Sequence, residues 1–377
     1  MYPCWRELIF HASKRQTRER ERERVKLFYK IHCLVEGLSP ENIAKLEETI
    51  APFSAFSSIE FLDITDEELE PRHNYDKLDP LIANEIKKLY LKLNAFSQKR
   101  FSKMIMCRFF FASLFPQYDK IIMFDVDTLF VNDISESFFI PLDDHYFGAV
   151  REKDLIAMNR NSAKDLYELR QMHAKTIGVA DAFPTNLKEA QILFDNYFNA
   201  GFLALNLKLW REENLENQLI GFFLLKNEKL LFNEQDALCF VCRGRILELP
   251  YSYNAHPSFL DTPSFPSIKE ACMLHFWGDK PWKLLSVIGA KKWHEILIQT
   301  PFKDAYFNAP FLDHLFESLQ NKDKETQEIH ALNQILSFSD RRHSFEFLLP
   351  RLSSKLLIGF LLFKAKQKVK RLIKRVF

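Results

Sequence analysis

Two aspartates one residue apart interrupt an apolar run: Ile121–Asp133 reads IIMFDVDTLFVND, with Asp125 and Asp127 inside it. An unpaired carboxylate in a buried strand is costly to desolvate, so this pair needs positive charge beside it. In a doubly wound sheet, ligands gather at the carboxyl ends of the strands. If the chain bends where this strand runs out, both carboxylates face one crevice. Hard oxygen donors placed that way suit Mg2+ or Mn2+ shared with a diphosphate. Turn or capping acids share the spacing, so the pair gains meaning from its company.

That company is spread along the chain. Asn199-Ala200-Gly201 opens another apolar strand in YFNAGFLALNLKLWR, Tyr197–Arg211. FNEQDAL, Phe232–Leu238, places Glu234, Gln235 and Asp236 ahead of a helix. MLHFWGDKPW, Met273–Trp282, offers His275 at a strand end, then Gly278, Lys280 and Trp282. A glycine, a lysine and a strand-end histidine are parts that hold phosphates and complete a metal shell. Each residue also has a bland reading. Arg108 can pair with a surface acid, Asn199 can cap a turn and Asp236 can cap its helix. His275 can be a satisfied core histidine, and the Lys280 stem can lie on Trp282. The ordered set favours the functional reading.

The elements that must position these residues alternate between strand and helix. KLFYKIHCLV reads as a strand, and SPENIAKLEETI as a helix with Ser39 as N-cap and Pro40 at its first position. IEFLDI is a second strand; a helix over roughly 102–114, stopped by Pro116, leads into the strand Ile121–Phe124. This alternation predicts an α/β fold with a mostly parallel sheet covered on both faces. Residues 163–195 are polar, mainly helical and read as an insertion. The formal net charge of +2 gives no reason to expect nucleic acid as a partner, and a 47% hydrophobic fraction supports a real core. Six scattered cysteines make no disulfide framework. Cys239-x-x-Cys242 and Cys272-x-x-His275 have zinc-like spacing, but both lie in apolar runs without turn residues. Buried free cysteines are the expectation there.

The ordered set FDVDTLFVND, YFNAGFLALN, EQDAL and HFWGDKPW resembles retaining glycosyltransferase family 8, which includes lipopolysaccharide galactosyl- and glucosyltransferases and glycogenin. The resemblance runs from about residue 26 to 282. It implies a GT-A, Rossmann-like α/β domain and a hexosyltransferase. Asp125, Asp127 and His275 match the family's metal ligands, which would hold Mn2+ (or Mg2+) against a UDP diphosphate. Arg108, Asn199, Ala200, Gly278 and Lys280 match positions that hold the nucleotide-sugar and its leaving phosphate. Gln235 matches the residue facing the anomeric carbon, and Asp236 its sugar-binding neighbour. The implied reaction moves a hexose from UDP-galactose or UDP-glucose to lipopolysaccharide core with retention. Only Asp279 separates Gly278 from Lys280, one residue fewer than the family's usual spacing.

The front end departs further. The family opens on a buried strand and an acid–aromatic motif, and residues 1–24 resemble neither. The stretch YPCWRELIFHASKRQ can be encoded so that the next frame reads IPAGVSLYSMLANA, which resembles the family's first helix, and RERERER can be encoded by a slip-prone dinucleotide repeat. Residues 1–24 are therefore expected to be an atypical, out-of-frame or disordered N-terminus, with the out-of-frame part running to about residue 17. The catalytic domain, 25–282, is expected to lack its first strand. A nucleotide-sugar binder without turnover is the alternative function.

A small helical cap is expected over 283–345, then a basic amphipathic tail over 346–377. In the tail, Val369, Leu372, Ile373 and Val376 recur at helical spacing among Lys366, Lys370, Arg371, Lys374 and Arg375. Such a helix suits an anionic membrane surface. No signal peptide is recognised, and the longest apolar run, Leu356–Phe363, is too short to span a bilayer. The expected location is cytoplasmic, peripheral on the inner face of the cytoplasmic membrane.

Overall fold

A computed structural model of the chain describes residues 27–64, 79–152, 162–260, 265, 267–283 and 287–306, with the backbone of 7–14 and 75–77. The chain divides into two units, 1–152 with 162–303, and 153–161 with 304–377. Most of the second, including the basic tail, lies outside the described residues.

The first unit is built on an eight-stranded sheet in the order β4-β3-β2-β1-β5-β8-β7-β9. The strands are β1 Glu7–Lys14, β2 Leu27–Val35, β3 Ser57–Asp63, β4 Tyr75–Lys77, β5 Lys120–Asp125, β7 Phe147–Arg151, β8 Phe198–Asn206 and β9 Ile246–Glu248. A separate pair joins β6, Thr128–Phe130, to β10, Met273–His275. From the pairings, β1 and β8 run one way and the other strands of the large sheet run the opposite way. The α/β class is as expected, and the sheet is mixed: β4-β3, β3-β2 and β7-β9 pair parallel, while the four pairings at its centre are antiparallel.

The β5 run explains itself. Ile121, Ile122 and Met123 have no exposed surface and Phe124 has 4%. A strand buried on both faces needs continuous apolar residues rather than an alternating pattern. On one face Ile122 and Phe124 join Val150, Phe202 and Met273 in a core cluster. The helix Pro40–Ile50 starts as read, with the Ser39 hydroxyl accepting from the Asn42 N–H at 3.3 Å and Pro40 at its first position. The expected helix over 102–114 is different in kind. It is a 3-10 segment, Lys103–Phe109, followed by a short α-helix, Phe111–Leu114. The insertion forms two helices, Ala163–Ile177 and Leu187–Asp195.

Two observations bear on the expected domains. Between β2 and β5 the sheet holds β1, which pairs antiparallel to β2 along its whole length and to β5 over Glu7–Phe10. The first unit runs past residue 282 to Lys303. Val287 and Trp293 pack against Leu129, Ala255, Leu274 and Phe276, and the Trp282 and Trp293 rings lie 5.7 Å apart. The rest of the expected cap, beyond residue 306, lies outside the described residues.

Candidate functional site

The site begins where β5 ends. Asp125 closes the strand, the chain turns through Val126, and Asp127 leads into β6. The Thr128 hydroxyl donates to the Asp125 carbonyl at 2.6 Å, which closes this turn. β6 then pairs antiparallel with β10, setting His275 opposite Thr128, and the Phe276 N–H donates to the Asp127 carbonyl at 2.8 Å. One short ladder thus places a residue 148 positions away from Asp127 beside it in space. His275 Nε2 lies 3.2 Å from Asp127 and 3.6 Å from Asp125. Among the described residues, these three are the one acid, histidine and cysteine group whose donor atoms converge, all within 4.8 Å of one another. The cysteines go elsewhere: Cys239, Cys242 and Cys272 are free thiols, and Cys239 donates to the Phe198 carbonyl. No zinc cluster forms among the described residues.

Positive charge meets the acids from two sides. Arg108, from the 3-10 segment, bonds Asp125 with one guanidinium nitrogen and Glu234 with the other, the latter at 3.1 Å. Lys280 bonds Asp127 and also the Phe276 carbonyl at 2.6 Å. Gly278, at φ +96°, takes the left-handed turn between His275 and Lys280 that a side chain would strain. The shorter spacing therefore still brings Lys280 to the acid pair. Burial pushes the Asp125 carboxyl up against the opposing pull of Arg108. Burial also pushes Asp127 up, but the His275 hydrogen bond and Lys280 outweigh it and hold that carboxyl well below the usual range.

The other wall comes from β8. Its register against β7 jumps from Ala149–Leu203 to Val150–Asn199, so Asn199, Ala200 and Gly201 lie at a bulge beside the end of β5. Bulges re-aim residues at sheet ends, and this one turns Asn199 toward the site. The Gln235 side-chain oxygen Oε1 accepts from the Ala200 N–H at 2.9 Å, which fixes the head of the helix Asn233–Val241 against the bulge. A Cβ on Gly201 would lie 2.1 Å from His275 Cε1, so the imidazole rests directly on the backbone there.

Three neighbours on that helix point to different tasks. Gln235 is partly exposed beside the bulge. Asp236 has no exposed surface, and both its oxygens accept from Arg170 at 2.7 and 2.8 Å. Asp236, which the resemblance makes a sugar-binding neighbour of Gln235, has its carboxylate held by the insertion helix Ala163–Ile177. The Arg170 guanidinium is also held between the Tyr197 and Phe232 rings at 4.9 and 5.1 Å. Glu234, given no role from sequence, faces Arg108. Burial pushes its carboxyl up to about 7 although Arg108 opposes this. Arg170, Glu152 and Asn254 are further site-supporting residues that sequence reading missed. A long-range polar pair leaves no periodic trace, and only the position of Glu234 next to Gln235 gave a signal.

Residues 7–285 match the family described as Glycosyl transferase family 8. Among curated proteins, an Escherichia coli lipopolysaccharide 1,2-glucosyltransferase is 24% identical over 196 residues, covering 49% of this chain and 51% of that protein. A Bacillus subtilis protein named general stress protein A is 22% identical over 295 residues, covering 74% and 81%. This chain spans about half the length of the Escherichia coli relative and 36% of a Haemophilus influenzae relative that is 27% identical over 143 residues. Among solved structures, the galactosyltransferase LgtC in complex with donor and acceptor sugar analogs gives a TM-score of 0.47 at 19% identity, covering 71% of this chain and 96% of that one. The bifunctional WbbM gives 0.48 at 20%, covering 73% and 45%.

Three outcomes follow from this geometry. Gly201→Ala should displace His275 and lower Mn2+ affinity at least tenfold, read by titration calorimetry, while far-ultraviolet circular dichroism stays unchanged. Arg170→Met leaves Asp236 buried without its partner and should cost about 3–5 kcal/mol in urea unfolding; the double variant with Asp236→Leu should recover much of that. For Glu234 the folded-state value exceeds the ordinary one, so its proton stabilises the fold at low pH. That contribution is full below about pH 4.5 and is lost as pH rises through about 7. Wild-type stability should therefore fall relative to Glu234→Gln across this window, by roughly 3 kcal/mol.

Proposed function

The chain belongs to glycosyl transferase family 8, and on that premise we propose a GT-A hexosyltransferase that moves galactose or glucose from a UDP donor to lipopolysaccharide core with retention. The observation that carries the reading is the convergence of Asp125, Asp127 and His275 with Arg108 and Lys280 around them. Two hard carboxylates with one borderline imidazole nitrogen form a donor set that fits Mn2+ and, less well, Mg2+. When bound, the ion supplies Lewis-acid charge at a diphosphate.

The side chains divide the remaining work. Lys280 and Arg108 bring the positive charge that a departing UDP needs, held in place before reaction. Gln235, tied to Ala200, faces the crevice with an amide too weak as a nucleophile for a covalent intermediate; its role is to stabilise positive charge developing on the sugar. Asn199 lines the bulge beside it. Glu234 anchors Arg108 from behind, so the guanidinium position does not depend on donor.

The lipopolysaccharide acceptor rests on the printed activity of the Escherichia coli relative and on the basic tail of this chain. No helix among the described residues is long and apolar enough to cross a membrane. An anionic inner-membrane surface is the proposed partner of residues 353–377, with the enzyme peripheral on the cytoplasmic side.

The purified chain with Mn2+ should transfer radiolabel from UDP-galactose or UDP-glucose to lipopolysaccharide core, and Asp127→Asn should lower kcat/KM about 100-fold or more. Donor binding with no transfer under any metal would favour the alternative of a binder without turnover. Deleting 353–377 should release the protein from phosphatidylglycerol vesicles in a flotation assay while leaving it on no neutral vesicles either; unchanged flotation would remove the membrane claim.

A further inference from the structure

Behind His275 runs a chain of amides whose direction is fixed by the groups at its far end. The Gly201 N–H, which can only donate, lies 2.9 Å from Asn199 Oδ1. That identifies the oxygen of Asn199, and its Nδ2 then donates to the Glu152 carboxylate at 2.9 Å. The bond to Glu152 agrees with the orientation of Asn199 that the Gly201 N–H requires. Asn254 approaches the same Asn199 oxygen at 2.7 Å and must present its Nδ2 there. Its own Oδ1 is left facing His275 Nδ1 at 2.8 Å. An amide oxygen only accepts, so Nδ1 must carry the proton.

We propose that Asn254 is a positioning residue that holds neutral His275 in its Nδ1–H tautomer and aims the bare Nε2 at the acid pair. This rests on the metal reading given above. Asn254 is 1% exposed and His275 3%, so solvent does not compete for the bond. Asn254 belongs to the 3-10 turn Tyr251–Asn254, and the following residue fixes its height: Ala255 N–H donates to the Met273 carbonyl and its carbonyl accepts from the His275 N–H at 2.9 Å. The amide and the imidazole are thus carried on two backbones bonded to each other. Nε2 ends 3.2 Å from Asp127 Oδ1. While His275 is charged, an Nε2 proton fills that gap as the hydrogen bond to Asp127. Without that proton the nitrogen and the carboxylate oxygen are two lone pairs opposed, an arrangement that a cation between them would satisfy. A histidine that metal binds through one nitrogen gains from an acceptor on the other, and loss of such a partner typically lowers affinity 10- to 100-fold.

The test is 15N-histidine NMR on the metal-free full chain, titrated upward in pH until His275 is neutral, with Mn2+ affinity measured separately by calorimetry. Wild type should show Nδ1 protonated and Nε2 bare. Asn254→Ala should give a mixture of tautomers and a 10- to 100-fold weaker Mn2+ affinity. Asn254→Asp, which keeps an acceptor for Nδ1–H, should restore the tautomer. A neutral wild-type His275 protonated on Nε2 would overturn the proposal whatever the metal result, and needs no variant to fold. The expected tautomer in a chain without measurable Mn2+ affinity would support the amide chain while removing the metal reading of the site.

Discussion

Two carboxylates fixed one residue apart at the end of a buried strand repel each other, and the site is organised around compensating them. Arg108 answers Asp125, Lys280 answers Asp127, and His275 stands against both. The compensation is uneven: one carboxyl is driven up by burial and the other is held down by its neighbours. A site of this kind keeps a preference for more positive charge, which a divalent ion near a diphosphate satisfies. The basic side chains that stabilise the acids are those a departing phosphate would draw on. Stability and proposed chemistry therefore use the same charges.

The fold delivers this arrangement through interruptions in regular structure. β5 stops, the chain bends, and β6 leaves the large sheet to pair with β10. β8 is broken by its bulge at the same level, beside the end of β5. At the bulge, Asn199 meets Glu152 and Asn254 while the His275 imidazole rests on the backbone at Gly201. Regular strands supply the rigid frame, and its broken ends supply the chemistry.

Part of this was legible in the sequence for physical reasons. Carboxylates at the end of an all-apolar strand are conspicuous because burial forbids them elsewhere, and Ser39 with Pro40 is a local signal for a helix start. Arg108, Lys280 and His275 were found through their order along the chain. Arg170 and Asn254 were not, because each matters through a partner 66 or 55 positions away, and no local pattern encodes that pairing. The partner of Asp236 is hidden for the same reason: an acid at a helix head looks like a ligand or a cap until its arginine is known. The strand at Glu7–Lys14 was hidden by its charges, since Glu7, His11 and Lys14 break the apolar continuity of a central strand.

The helix bearing Glu234, Gln235 and Asp236 shows how these levels join. Consecutive helical residues point about 100° apart, so three in a row can reach three different partners. Here they reach Arg108, the Ala200 amide and Arg170. The first bond ties the helix to the acid pair, the second to the β8 bulge and the third to the insertion helix. Gln235 is thus the partly exposed member of a trio whose outer members are anchored in opposite directions. The Gln235 side chain is held as well, because its Oε1 accepts from the Ala200 N–H, so both the helix and this amide are fixed in place. The buried Arg170–Asp236 pair is costly to desolvate and contributes little net stability against an apolar substitute. What it adds is a fixed rotation of this helix, and with it the setting of Gln235.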